Sequence, residues 1–291
     1  METSSGPIGI IGLGLMGTAL AERFLESGYN VVVWNRTREK AIPLLAKGAQ
    51  WSDNPLTDCF RAVLSLYTTE VVREVLERLQ GGLRVGQILI DTTTGEPSQT
   101  EALGKKMADR GVQYLDAPIS GSSEQTRHGE ATVIVGGDNE AFNACRDLWQ
   151  VMGRKVFHAG SCGSATRMKL ISNLVLGLNR AALAEGLAFA EALGVSAAGA
   201  LEVMSESAAY SRVMDTKGRK MIEKDFRVQA RLSQHLKDVG IILKAARGAG
   251  LQLPLSETHR QLLERAEGLG LGQLDNSAII QILRKAQPPL T

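Results

Sequence analysis

The run IGIIGLGLMGTALAERFLESGYNVVVWNRT, Ile8 to Thr37, limits the folds open to this chain more than any other stretch. An apolar β-type run breaks at Gly12, Gly14 and Gly17, resumes as an amphipathic helical pattern, and gives way to a second β-branched run, VVVW. The glycines have G-x-G-x-x-G spacing at a strand-to-helix junction. There the first permits a tight turn, the second lets a pyrophosphate approach the backbone, and the third lets helix and strand pack closely. An incidental glycine turn has the same spacing. The strand before it, the helix after it and a second strand ending at the expected distance favour a dinucleotide site built on Gly12, Leu13, Gly14, Leu15, Met16 and Gly17.

The end of the second strand indicates which dinucleotide. An acid at that position would accept hydrogen bonds from the adenosine ribose and repel a 2′-phosphate. Here Asn35, Arg36 and Thr37 supply donors, one of them cationic and planar. NADP(H) is therefore the preferred cofactor, with NAD(H) possible. A solvated Arg36, or one stacked on adenine, is the competing reading.

Up to about residue 163 the runs IGIIGL, NVVVWN, AVLSLY, QILIDTT, VQYLDAPI, ATVIVGG and KVFHAG alternate with helical segments that end in glycine, the pattern of a parallel α/β sheet. From Ala165 to about Leu193 a Leu- and Ala-rich stretch predicts one long helix of about 40 Å at about 1.5 Å per residue. Further helices are expected in AAGALEVMSES, ARLSQHLKDVGIILKAARGAG, LPLSETHRQLLERAEGLG and SAIIQILRKA. The fold class is thus an α/β N-terminal Rossmann-type dinucleotide-binding domain, residues 1–163. An all-α C-terminal substrate and oligomerisation domain, residues 164–291, follows through the long interdomain helix.

A 291-residue chain with 44% hydrophobic content can bury such cores. Its 33 basic and 31 acidic residues are spread without a basic block, so nucleic acid is not an expected partner. The N-terminus has no basic n-region and its apolar run is cut by glycines, so neither a signal peptide nor a membrane anchor is expected. Cys59, Cys145 and Cys162 form no close pair and no metal-ligand spacing, which suits a reducing compartment, taken as the cytoplasm. The four histidines form no metal cluster, and His128 reads as a loop residue.

Lys169 and Asn173 lie one turn apart on the long helix, with Gly177 following on that face, a polar and small strip on an otherwise apolar helix. Charged side chains are seldom buried without a purpose, so the strip is expected to line a cleft. A solvated lysine is the plainer alternative.

DTTTGEP (Asp91 to Pro97), DAPISGSSEQTRHGEATVIVGG (Asp116 to Gly137) and GSATRMKLISN (Gly163 to Asn173), together with GLGLMG and in this order, resemble the β-hydroxyacid dehydrogenase family over nearly the whole chain. That family includes 3-hydroxyisobutyrate dehydrogenases and glyoxylate/succinic semialdehyde reductases. The resemblance implies that Lys169 is the general acid/base and that Ser120, Gly121 and Asn173 hold the substrate. It further implies that Thr94 lies near nicotinamide and substrate, Lys237 near the cofactor and Asp238 near the active site. Ordinary turn chemistry for Ser120 and Thr94, and a surface ion pair for Lys237–Asp238, are the alternatives. Two departures bear on the substrate pocket: Ser122-Ser123-Glu124-Gln125 where the family continues with small residues, and Gly95 where it has an apolar one.

The expected function is an NADPH-preferring oxidoreductase interconverting small aldehyde or keto acids and hydroxy acids, assembled as a homodimer or homotetramer. An NAD-linked 3-hydroxyisobutyrate-type dehydrogenase, an imine reductase-like enzyme and an NADP-binding sensor are the rivals. Retention of Lys169 argues against the last two.

Overall fold

The structure is a computed structural model and describes residues 6–284. It divides into two compact units, Met1–Lys169 and Leu170–Thr291, with the division inside the long helix rather than at its start.

The first unit is built on a nine-stranded sheet. Its strands are β1 (Ile8–Ile11), β2 (Val31–Trp34), β3 (Gln50–Trp51), β4 (Arg61–Leu64), β5 (Ile88–Asp91), β6 (Gln113–Asp116), β7 (Ile119–Ser120), β8 (Thr132–Gly136) and β9 (Lys155–Gly160). The order is β3-β2-β1-β4-β5-β6-β8-β7, with β9 against β8. From β3 to β6 all pairs are parallel. β1, β2, β4 and β5 are buried along their whole length, as continuous apolar runs in a sheet covered on both faces should be. One core layer holds Ile8, Ile10, Val31, Val33 and Phe24. The opposite layer holds Ile11, Leu64, Leu89 and Met107, as the alternation of side chains along the strands requires.

The expected parallel α/β sheet holds from β3 to β6; beyond β6, β8 runs antiparallel to β6 and β7. After β6 the chain spends its connection on β7 and the short helix Ser123–Arg127, so no crossover helix returns it to the parallel sense. The two-residue strands β3 and β7 were too short to leave a periodic signal in the sequence.

The long helix runs Ser164–Ala192. The second unit adds Ala197–Ser205, Leu232–Gly248 and Pro254–Gly268 around a core of Leu183, Leu187, Val239, Leu243, Leu263 and Ile279. The expected final helix is a 3-10 turn, Asn276–Ile279, followed by Ile280–Arg284; the last two residues of SAIIQILRKA lie outside the described residues. Within this unit Asp275, fully buried, accepts from Lys217 Nζ (2.8 Å), from the backbone N–H groups of Gln229, Ala230 and Ser277, and from Ser277 Oγ.

Candidate active site

The G-x-G-x-x-G turn lies at the C-terminal end of β1, where the sheet order switches from β2 on one side to β4 on the other, the position at which open α/β sheets bind ligands. Gly12 has φ +100°, and a Cβ there would strike the Ser65 carbonyl, so only glycine makes this turn. A Cβ on Gly17 would overlap the Gly12 carbonyl oxygen, so the third glycine is fixed by packing of the helix start on the turn. Gly14 is different: nothing lies within 4 Å of the position its Cβ would take. It is the N-cap of helix α1 (Leu15–Glu26), no side chain caps that end, and no acid stands in the first turn. Bare helix N–H groups, a positive dipole end and an uncovered backbone fit a pyrophosphate. Leu13 is buried, Leu15 is exposed and Met16 is half-buried at this turn.

At the end of β2, Asn35 makes two hydrogen bonds within the fold. Its Oδ1 accepts from Leu13 N (3.0 Å) and its Nδ2 donates to the Thr37 carbonyl (2.8 Å), so it ties the glycine turn to the second strand. Arg36 and Thr37 are exposed. Neighbouring Arg38 stacks on Trp51, its guanidinium 5.0 Å from the ring centre.

Beyond β5, Thr92 and Thr93 are committed to the fold. Thr92 Oγ1 donates to the Leu64 carbonyl, and Thr93 Oγ1 accepts from Leu66 N. Thr94 is half-buried just past them. Gly95, a departure from the family pattern, has a packing reason: a Cβ would run into the Thr69 hydroxyl. Asp91, at the strand end, is pushed up to about 6 by burial, against hydrogen bonds from Thr93 and from Tyr114 Oη (2.5 Å).

Ser120 ends β7 half-buried, and Gly121 follows exposed. The Ser122–Gln125 departure is a capping box: Ser122 Oγ accepts from Gln125 N, and Gln125 Oε1 accepts from Ser122 N. These two polar side chains thus serve the short helix Ser123–Arg127, which is tied to α1 through the Arg127–Glu22 ion pair (2.6 Å). His128 is the exposed C-cap of that helix, a loop position as expected.

Lys169 and Asn173, each 6% exposed, occupy adjacent turns of the long helix. This burial disposes of the solvated-lysine alternative. In the second unit Asn173 Nδ2 donates to Asp238 Oδ2 (3.1 Å), and Lys237 Nζ stands 3.2 Å from Asp238 Oδ1. Asp238 is buried, so this is not a surface ion pair. Gly177 completes the strip because His235 and His259 press against it; a Cβ would come within 2.6 Å of His235 Nε2. The two imidazoles are 5.2 Å apart, and burial together with nearby Arg180 pushes His259 down to about 4.

Two site-adjacent residues escaped the sequence reading. Arg180 is 3% exposed, and its Nε and Nη2 have no hydrogen-bond partner among the described residues; burial pulls it down to about 10, against the pull of Asp275 and Asp238. Its position, eleven residues past Lys169 and so about three full turns, places it on the same helix face, a spacing that the sequence reading did not use. Asp116 ends β6 and is 1% exposed. It accepts from Gly163 N (2.8 Å), Thr166 N (2.8 Å) and Thr166 Oγ1 (3.0 Å). Only its place at the head of DAPISG hinted at a role. Among the described residues, no group of three or more metal-ligating side chains occurs.

Known proteins are similar to this chain over nearly its whole length. Residues 7–160 match the NAD-binding domain of 6-phosphogluconate dehydrogenase, and residues 163–283 match the NAD-binding domain of NADP-dependent 3-hydroxyisobutyrate dehydrogenase. The chain is 30% identical to 2-(hydroxymethyl)glutarate dehydrogenase of Eubacterium barkeri, over 94% of each chain. It is 28% identical to the chloroplastic glyoxylate/succinic semialdehyde reductase 2 of Arabidopsis thaliana, over 98% of this chain and 82% of that one. The Mycobacterium tuberculosis 3-hydroxyisobutyrate dehydrogenase structure superposes with a TM-score of 0.87 at 24% identity, over 97% of this chain and all of that one, which shows the shared fold. With the glycine turn, the buried lysine and both halves matched, the chain belongs to the β-hydroxyacid dehydrogenase family and is an NAD(P)-dependent oxidoreductase acting on CH–OH groups.

Proposed function

We propose that the protein is an NADPH-preferring reductase of small aldehyde or keto acids, equivalently a dehydrogenase of short hydroxy acids, with Lys169 as the general acid/base. The observation that carries this is the buried lysine one turn before a buried asparagine whose amide is held by Asp238. Named relatives that reduce glyoxylate or succinic semialdehyde, or oxidise 2-(hydroxymethyl)glutarate, support a small carboxylate-bearing substrate.

The nicotinamide, when bound, supplies or accepts the hydride. The chain's own residues do the rest. In the reducing direction Lys169 Nζ donates a proton to the carbonyl oxygen, and its positive charge stabilises the oxygen as negative charge develops. In the oxidising direction the neutral amine takes that proton back. Asn173, its amide held by Asp238, orients the reacting group, while Ser120 Oγ and the backbone N–H of Gly121 hold the acid group. Thr94 borders the nicotinamide end, and Lys237 serves the cofactor side. Arg36 holds the 2′-phosphate that distinguishes NADP from NAD, and Thr37 adds a donor beside it; the exposure of both side chains supports this. Asn35 contributes by shaping the turn.

The helical unit is the oligomerisation half. Ile171, Val175 and Phe189 stand 60%, 52% and 63% exposed along the long helix, an apolar stripe suited to a second copy in a homodimer or homotetramer. Among the described residues no helix is long and apolar enough to cross a membrane, and all three cysteines are free.

The test is NADPH oxidation by the purified protein with glyoxylate, succinic semialdehyde, methylmalonate semialdehyde and an imine, repeated with NADH. Turnover of a carbonyl acid with NADPH favoured is the expected result. NADPH binding without turnover of any of them would overturn this substrate assignment, in favour of a different substrate first and a sensor second, and reduction of the imine alone would overturn the substrate class.

A further inference from the structure

Two stretches of the first unit carry reacting or holding groups on separate parts of the chain: Ser120–Gly121 after β7, and Lys169 near the start of the long helix. One carboxylate stands between them in the covalent and hydrogen-bonded path. Asp116 lies four residues before Ser120, and it binds the helix start through Gly163 N, Thr166 N and Thr166 Oγ1, the last residue three positions before Lys169. It acts as a side-chain cap supplied from a strand, satisfying N–H groups that a helix start leaves unpaired.

The surroundings are built for this contact. Gly136 on β8 is the register partner of Asp116. A Cβ at Gly136 would strike Asp116 Oδ1 and would come within 2.8 Å of the Ser161 carbonyl and 3.0 Å of Ala165 N, so glycine leaves the space through which strand and helix start meet. Gly163, at φ +88°, turns its N–H toward the carboxylate. These groups are recruited from β6, β8 and the helix start, and all of them converge on one carboxylate.

We propose that Asp116 is a positioning residue for the reaction: by clamping the start of the long helix to the end of β6, it fixes where Lys169 stands relative to the acid-holding Ser120–Gly121 segment. The inference rests on the roles given above to Lys169 and Ser120–Gly121. Asp116 touches no reacting atom. An Asn in its place keeps one acceptor oxygen but turns an N–H₂ toward donors that need an acceptor, so the clamp opens on one side.

The test is steady-state kinetics of Asp116→Asn and Gly136→Ala with the best carbonyl acid, using NADPH and NADPH deuterated at the transferred position, alongside NADPH affinity. A displacement of about 1 Å costs on the order of 10²-fold in turnover. The expected result is a kcat fall of that order in both variants, NADPH affinity within about twofold of wild type, and a deuterium isotope effect that rises because hydride transfer has become the slow step. A fall in kcat matched by lost NADPH sites, with the isotope effect unchanged, would mean only misfolded protein and overturns the proposal. So does wild-type kcat in either variant.

Labelling of Lys169 by an amine-reactive reagent, located by mass spectrometry, serves as a readout without turnover. If the wild type reduces no carbonyl acid, the functional reading fails, and Asp116 is judged on this label. Faster modification of Lys169 in both variants upholds the clamp, and an unchanged rate sinks it.

Discussion

Replacing Gly14 and Gly17 separately by alanine should have opposite consequences, although both belong to one motif. Gly14 has φ −79° and ψ −169°, a conformation open to any L-residue, and its added Cβ meets nothing within 4 Å. An alanine N-cap costs roughly 0.5–1 kcal/mol relative to glycine, and the reduced freedom of the unfolded chain returns roughly 0.4–1 kcal/mol, so the net change in stability is near zero. The methyl does, however, cover backbone N–H groups that a pyrophosphate would use. Loss of one charge-assisted hydrogen bond, about 1.5–3 kcal/mol, weakens NADPH binding about 10- to 100-fold. Gly17→Ala gains about 1 kcal/mol in helix propensity but drives a methyl into the backbone carbonyl of Gly12, which has no rotamer with which to yield. Overpacking of this kind costs about 3 kcal/mol or more, so the net loss is about 2 kcal/mol, or about 4–8 °C in Tm. Thermal melts of the apo protein and NADPH titration by fluorescence separate the two. Wild-type affinity in Gly14→Ala would refute a pyrophosphate at this turn, and an unchanged Tm in Gly17→Ala would refute the packing argument.

Lys169→Ala should lower kcat about 10²- to 10⁴-fold with NADPH affinity nearly unchanged, and near-normal turnover would remove Lys169 from the chemistry. Arg36→Glu should weaken NADPH about 10-fold or more while leaving NADH within about twofold, since the interaction in question is with the 2′-phosphate alone; equal losses for both cofactors would contradict that. For Asp91 the folded value of about 6 lies above the ordinary carboxyl value of 3.8, so the folded state binds this proton more tightly. Its contribution is therefore most favourable below pH about 4 and is lost as pH rises through about 6, a change of about 3 kcal/mol that Asp91→Asn should abolish in urea titrations across that range. Asp275→Ala strands the buried Lys217 ammonium and several backbone N–H groups, and should destabilise the helical unit by about 3–5 kcal/mol in denaturant unfolding.

The sequence determined the alternation of strands and helices, because continuous apolar runs and 3.6-residue periodicity are local properties. It likewise determined the nucleotide turn, since Gly12 and Gly17 are demanded by a positive φ and by a backbone contact only a few residues away. Lys169 and Asn173 were legible because one helical turn separates them. Which other bonds the polar residues near these positions make emerges only once the chain is folded. Asn35, expected as a cofactor donor, also braces the glycine turn from 22 residues away. Ser122 and Gln125, a departure beside the expected carboxylate site, form a helix capping box. The antiparallel course of β8, the clamp between Asp116 and Thr166 and the buried charge of Arg180 were invisible for the same physical reason. Strand pairing, desolvation and the direction of a hydrogen bond depend on partners distant in sequence, and no local pattern encodes who those partners are.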